Sequence, residues 1–256
     1  MKIIFIGDIV TEPGLVFLEK RLPELKSQLE PDFIVCNAEN LAPNVGMTTA
    51  TLERLFALGV DCVTGGNHSW DGLEGRMVHS DPRVLRPLNR GKNWAGRGSS
   101  VLEKNGLRLG VLNVASRTAI PDVDTPFFAI EKQLGAWTGL TDAVLLDFHG
   151  ESVFEKLSLA FAFDGLVSAF IGTHTHVQTN DLRILPNGTA YVSDVGMTGA
   201  GGGIQGYAPE GFVQRFRTQG FDKPHKQAAT GEIEFGAVLL EFSGSRAVAA
   251  TRLTNP

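Results

Sequence analysis

Short apolar runs punctuate the chain, at residues 2–7, 33–37, 62–66, 109–114, 144–149 and 167–174, and each closes on Gly, Asn, Asp or His. Runs of this length, rich in Ile, Val and Phe and without polar alternation, predict strands covered on both faces. Helical spacing lies between several of them. Leu15, Leu18, Leu22, Leu25 and Leu29 mark one face of a helix over 15–29, which Pro23 is expected to kink or restart. Leu52, Leu55 and Phe56 mark a second helix, stopped by Gly59, and Val153, Leu157, Ala160 and Phe161 a third. The final third reads differently. Residues 182–185 and 189–192, joined by Pro186-Asn187-Gly188, form a hairpin pattern, and 233–242 with 247–253 a further strand pair. The run Gly199-Ala200-Gly201-Gly202-Gly203 reads as a flexible loop. Strands alternating with helices, then a more antiparallel region, predict an α/β fold with mixed sheets. With no internal repeat and no compositional break, one domain over 1–256 is expected.

Composition narrows the class. A chain of 256 residues, 43% hydrophobic, with 23 Lys+Arg against 28 Asp+Glu, is too apolar and too balanced to be disordered. Its net charge of -5 argues against a nucleic-acid coat protein but not against a small phosphate-bearing substrate. Cys36 and Cys62 each sit in an apolar run, which predicts buried free thiols in a reducing compartment rather than a bridge. No segment reaches the roughly 18 apolar residues of a membrane helix. The nearest, 157–171, is broken by Ser158, Asp164, Gly165 and Ser168. The run 3–6 is too short for a signal peptide. A soluble cytoplasmic protein with no membrane partner is the expectation.

The polar residues gather where the predicted strands end: Asp8; Asn37, Glu39 and Asn40; Asn67 and His68; His149; His174 and His176. Taken singly these are ordinary turn formers and caps. The pair in Gly172-Thr173-His174-Thr175-His176 is not, because two histidines one residue apart on extended backbone point the same way. That spacing suits one metal or two adjacent ones. His79 and His225, in polar surroundings, read as surface residues. The whole set offers two carboxylates, amide oxygens and three or four imidazoles, enough for two ions sharing a carboxylate. Nitrogen and oxygen ligands without thiolates favour iron, manganese or zinc. Two such ions about 3.5–4 Å apart clamp the attacking and leaving oxygens of an in-line phosphoryl displacement.

The ordered series Gly7-Asp8-Ile9-Val10, Asn37-Ala38-Glu39-Asn40, Gly66-Asn67-His68, Asp147-Phe148-His149-Gly150-Glu151 and Gly172-Thr173-His174-Thr175-His176 resembles the calcineurin-like metallophosphoesterases. Within them it is most similar to the bacterial YmdB-like branch, which also shares Asp194-Val195-Gly196-Met197-Thr198-Gly199. The resemblance runs from residue 1 to about 242. It implies a four-layer α-β-β-α sandwich, with two central mixed β-sheets (metallo-dependent phosphatase-like) and a dinuclear site at their edge. By that likeness Asp8, Glu39, Asn40 and His176 hold one metal. Glu39 bridges to a second, held also by Asn67, His149 and His174. His68 is the general acid and a bridging hydroxide the nucleophile. The implied cofactors are two metal ions, iron or manganese, with zinc compatible. The implied reaction is hydrolysis of 2',3'-cyclic nucleotides to 3'-nucleotides. The wider superfamily places a histidine where Val10 stands, which Asn40 replaces, and bridges with aspartate where this chain has Glu39. The branch shares both changes. Thr11 and Leu15 stand where a glycine and an arginine are expected.

Other readings stay open on sequence alone. The protein could be regulatory, keeping its metals with slow or vestigial turnover. A metal-dependent amidohydrolase also uses His-x-His, but after the first strand of a barrel, and no barrel rhythm precedes residue 174 here. RNA ends are an alternative substrate to a small phosphodiester. Arg117, Tyr207 and the 199–208 loop are candidate substrate contacts. Phe127, Phe128 and Trp137 suit either core packing or a homo-oligomer contact.

Overall fold

The two faces of the first strand, β1 (Lys2–Ile6), already separate the layers. Ile4 and Ile6 point into one apolar cluster and Ile3 and Phe5 into another, as period-two geometry requires. The computed structural model describes residues 1–118, 120, 122–220 and 226–255. After β1 the chain forms α1 (Thr11–Leu29), β2 (Phe33–Asn37), α2 (Thr49–Ala57), β3 (Cys62–Thr64), β4 (Ser99–Lys104), β5 (Leu107–Ala115), α3 (Pro126–Ala136) and β6 (Ala143–His149). There follow α4 (Val153–Ala162), β7 (Ala169–Thr173), β8 (Arg183–Ile184), β9 (Ala190–Val192), β10 (Thr198–Ala200), α5 (Glu210–Thr218), β11 (Ile233–Phe235), β12 (Ala237–Ser243) and β13 (Arg246–Leu253).

Two mixed sheets result. The first has the order β13-β12-β1-β2-β3 and the second β4-β5-β6-β7-β9-β8. In the first, β1, β2 and β3 are parallel while β12 and β13 are antiparallel additions. In the second, β5, β6, β7 and β9 run parallel and the edges β4 and β8 antiparallel. Three apolar layers hold this together. Leu15, Leu18 and Leu22 of α1 with Leu52 and Leu55 of α2 cover the outer face of the first sheet. Phe5, Phe33, Leu109, Leu145 and Ile171 fill the space between the sheets. Ile130 and Trp137 from the α3 segment and Leu159 and Ala160 of α4 cover the second sheet at Leu112, Leu146, Phe148 and Phe170. The architecture is therefore the expected α-β-β-α sandwich. Each fully buried large side chain contributes about 1.5–3 kcal/mol.

Several expectations change. Helix α1 continues through Pro23 unbroken, because Leu18, Leu22 and Leu25 on either side pack into one cluster. Helix α4 lies where predicted but buries Lys156, Leu159 and Ala160, leaving Val153 and Phe161 exposed. The buried stripe is rotated because a lysine occupies it, which an apolar count does not detect. The glycine-rich run is not all loop: residues 198–200 are β10, paired antiparallel with β11. The predicted strand over 233–242 is divided at Gly236 into β11 and β12. Helices α3 and α5 had no clear signal. Cys36 and Cys62 are buried and free, as expected. Trp137 is buried against the second sheet, whereas Phe128 is exposed. Among the described residues no helix is long and apolar enough to cross a membrane.

Candidate metal centre

Parallel strands end in register, so the loops after β1, β2, β3, β6 and β7 open on one shared edge of the two sheets. Ligands in open α/β sheets bind at such carboxyl ends. Here the loops bring the predicted residues together. His149 Nε2 lies 3.0 Å from Glu39 Oε1, 3.1 Å from Asn67 Oδ1 and 3.0 Å from His174 Nδ1. One ligand atom each from Glu39, His149 and His174 falls within a 4.8 Å group. On the other side, His176 Nε2 is 3.8 Å from Asp8 Oδ1 and 3.3 Å from Asn40 Nδ2. Asn40 Nδ2 is in turn 3.4 Å from Glu39 Oε1. Glu39 thus joins two sets, Asp8–Asn40–His176 and Asn67–His149–His174. His68 enters at the same place, its backbone N–H donating to Glu39 Oε2 at 2.8 Å.

The pair at 174 and 176 reaches the site by a route other than the one expected. Strand β7 stops at Thr173, and His174 and His176 adopt positive φ of 100° and 65°. They do not sit on extended backbone, and the period-two argument fails for them. Left-handed backbone is costly for non-glycine residues and persists where the surroundings over-determine it. Those surroundings are specific. The His174 N–H donates to Asp8 Oδ2 at 3.1 Å and the Thr175 N–H to Asp194 Oδ2 at 3.0 Å. Asp194 also pairs with Lys156 at 3.1 Å, and the lysine donates to the Thr173 carbonyl at 2.9 Å. Both side chains are only 1% exposed. Breaking such a buried pair leaves one charge uncompensated, at about 3–5 kcal/mol. Lys156→Met should therefore lower unfolding stability by about that much in urea titrations, with Lys156→Met/Asp194→Asn recovering a large part. A Lys156→Met protein within about 1 kcal/mol of wild type would contradict this role.

A second layer of residues, assigned no role by the sequence reading, orients the ligands. The Thr173 hydroxyl donates to Asp147 Oδ1 at 2.7 Å, so its oxygen accepts from His149 Nδ1 at 3.0 Å. That fixes the tautomer and leaves Nε2 for the site. Asp147 also accepts from Asn37 Nδ2 at 3.1 Å and from the Thr64 hydroxyl. Asp147 and His149 share a face of β6, so alternation could have signalled the pair. Gly66 gives His149 its room, since a Cβ there would stand 2.3 Å from Nε2. The His176 Nδ1 donates to the Gln205 carbonyl at 3.0 Å, again freeing Nε2. His68 Nδ1 lies 2.6 Å from Asp71 Oδ2, which leaves Nε2 on the side of the cavity that Lys226 also lines.

Electrostatics fit a cationic occupant. Burial raises the Asp8 carboxyl to about 7, with the neighbouring Asp194 and Glu39 charges adding to it. Burial works to raise Glu39 as well, but the charge of His149 and its hydrogen bond hold it well below the ordinary range. Burial opposes the charge on His149, yet Glu39, Asp8 and Asp147 outweigh it and lift the imidazole to about 9. Burial lowers His174 to about 3 and His176 to about 4, keeping both neutral as metal ligands must be. Asp8 Oδ1 is buried with no hydrogen-bond donor, an orphaned anionic oxygen that a cation would satisfy. The donor set, carboxylate, amide oxygen and imidazole, suits borderline divalent ions.

The remaining candidates divide. His79 is buried rather than exposed, its Nε2 2.9 Å from the Ser69 carbonyl, because the 66–80 segment folds back over it. His225 lies outside the described residues. Arg117 bonds Thr125 and Glu155 beside α4 and does not line the metal cavity. Tyr207 does line that cavity of about 130 Å³, but it is 2% exposed and its hydroxyl donates to Asn40 Oδ1 at 3.1 Å. Lys226, which no motif announced, places its ammonium 3.5 Å from His68 Nε2.

The chain is similar to known proteins in sequence and in fold. The sequence model of the YmdB-like protein family matches residues 4–253. The chain is 41% identical over 219 residues to the 2',3'-cyclic-nucleotide 2'-phosphodiesterase of Bacillus subtilis (strain 168), covering 85% of this chain and 83% of that one. The crystal structure of a hypothetical protein from Thermus thermophilus superposes with a TM-score of 0.92 at 38% identity, covering 98% of this chain and 97% of the other. A structure described as a novel phosphatase of Mycoplasma pneumoniae gives 0.91 at 31% identity, covering 99% and 93%.

Proposed function

We propose, from the premise that this chain belongs to the YmdB-like protein family, that it is a metal-dependent phosphodiesterase opening 2',3'-cyclic nucleotides at the 2' bond. The observation that carries the reading is Glu39, where the sets Asp8–Asn40–His176 and Asn67–His149–His174 meet beside His68. Two divalent ions held there, iron or manganese with zinc also suited, would clamp the attacking and leaving oxygens and neutralise the phosphate charge. The chain's own residues supply the rest. His68, its Nδ1 anchored by Asp71, carries a proton at Nε2 to the departing O2' as the phosphorus–oxygen bond breaks. Water adds to phosphorus, and the product keeps its phosphate on O3'. Lys226, at the cavity rim, favours an anionic substrate. The name of the Bacillus subtilis relative supports the 2' preference.

The test is hydrolysis of 2',3'-cyclic AMP by protein loaded with manganese or iron, with the product identified by chromatography. Conversion to 3'-AMP is expected. Formation of 2'-AMP, or no turnover from protein shown to carry two ions, would overturn the reading.

A further inference from the structure

We infer that α5 is an RNA-binding surface, on which the nucleotides preceding a terminal 2',3'-cyclic phosphate lie while the phosphate enters the metal cavity. This rests on the phosphodiesterase reading above and extends its substrate from mononucleotides to RNA ends.

The size of the cavity calls for a surface outside it. At about 130 Å³ it falls below the roughly 300–1,000 Å³ of a pocket that encloses a small ligand, so it takes a phosphate and leaves the nucleoside outside. On the Lys226 side its rim continues into α5. The Lys226 ammonium stands 4.8 Å from the centre of the Tyr207 ring, and Phe212 of α5 packs on that ring with 6.4 Å between centroids. The Ala208 N–H donates to the Gln227 carbonyl at 2.9 Å, which ties the chain entering α5 to the chain bearing Lys226. Phe212, Arg215 and Phe216 fall at i, i+3 and i+4 and share one face, so Phe216 lies one turn, about 5.4 Å, along the helix from Phe212. No residue of α5 is buried, and Phe216 is 86% exposed. An exposed ring beside a phosphate site offers a stacking face to any base. Charge agrees. In a chain of net charge -5, residues 210–220 and 226–230 carry Arg215, Arg217 and Lys226 against Glu210 alone. Cations for the backbone and rings for the bases are what single strands bind. A lipid surface is held in proportion to buried apolar area, and among the large apolar side chains of α5 only Val213 and Phe216 are exposed.

The test compares 2',3'-cyclic AMP with a short oligoadenylate ending in a 2',3'-cyclic phosphate, each hydrolysed by manganese-loaded protein. The kcat/KM for the oligonucleotide should exceed that for the mononucleotide by about tenfold or more, the gain from stacking one base on an aromatic ring. In the double variant Arg215→Gln/Phe216→Ala this ratio should fall to about one. Both positions are exposed, so the fold does not depend on them. A wild-type ratio of about one, or a ratio that the substitutions leave unchanged, would overturn the proposal. Binding gives a reading independent of turnover. Fluorescence anisotropy of a 5'-labelled oligoadenylate ending in a 3'-phosphate should show a complex weakened about tenfold or more in the double variant. Such binding without turnover of either substrate would defeat the phosphodiesterase reading and leave the RNA surface standing. Retention on anionic phosphatidylglycerol vesicles, with no binding of the oligonucleotide, would assign α5 to a lipid surface and overturn the proposal.

Discussion

Glu39→Gln is expected to lower kcat/KM on 2',3'-cyclic AMP by about 10³-fold, since the charge stabilisation supplied by a metal pair is worth several kcal/mol. Its two oxygens serve different neighbours, Oε1 facing His149 and Oε2 accepting the His68 N–H. Glutamine keeps the shape but carries no charge, and one of its two positions becomes an N–H donor aimed at one of those neighbours. The site would lose its shared anion while Asp8 alone remained to balance the cations. Metal-free stability should fall as well, because His149 loses the buried carboxylate 3.0 Å away that supports its charge. Metal content and steady-state kinetics on one sample check this. A variant with both ions bound and activity within tenfold of wild type would mean that Glu39 is not the bridge.

His68→Ala should show a different signature. General acid catalysis contributes about 10²–10⁴-fold, and only where the leaving oxygen needs a proton. Loss of that size is expected on 2',3'-cyclic AMP, whose departing O2' is an alkoxide. Bis(p-nitrophenyl) phosphate should suffer far less, because p-nitrophenolate leaves without one. Both ions should stay bound, since His68 meets Glu39 through its backbone N–H rather than its ring. Asp71→Asn should follow the same leaving-group pattern more weakly, as the anchor of Nδ1 at 2.6 Å. Equal losses on the two substrates would argue for a structural role and against proton transfer.

Much of this protein was legible along the chain. The apolar runs at 33–37 and 144–149, the second broken by Asp147, specify strands covered on both faces, and the leucine spacing of α1 specifies the helix face that covers the first sheet. The polar residues closing those runs had to meet, because parallel strands end at one edge. Long-range arrangement was not legible in the same way. Lys156 looks like a solvent-facing position of α4 until Asp194, 38 residues later, arrives to pair with it. His174 and His176 look like neighbours on a strand, but their backbone turns left-handed under bonds from Asp8 and Asp194. Tyr207 reads from sequence as a substrate contact, and the fold adds a bond from its hydroxyl to Asn40, 167 residues away.

The division has a physical cause. Periodic burial and turn chemistry are local properties, set by a residue and its near neighbours, so the order of elements, the layer each strand face belongs to and the identity of the polar cluster are written in the sequence itself. Ligand orientation depends on hydrogen bonds between segments far apart in the chain. Which ring nitrogen of His149 and His176 faces the site, which way the Asn40 amide turns and how a buried lysine is compensated were decided only when the two sheets closed on each other.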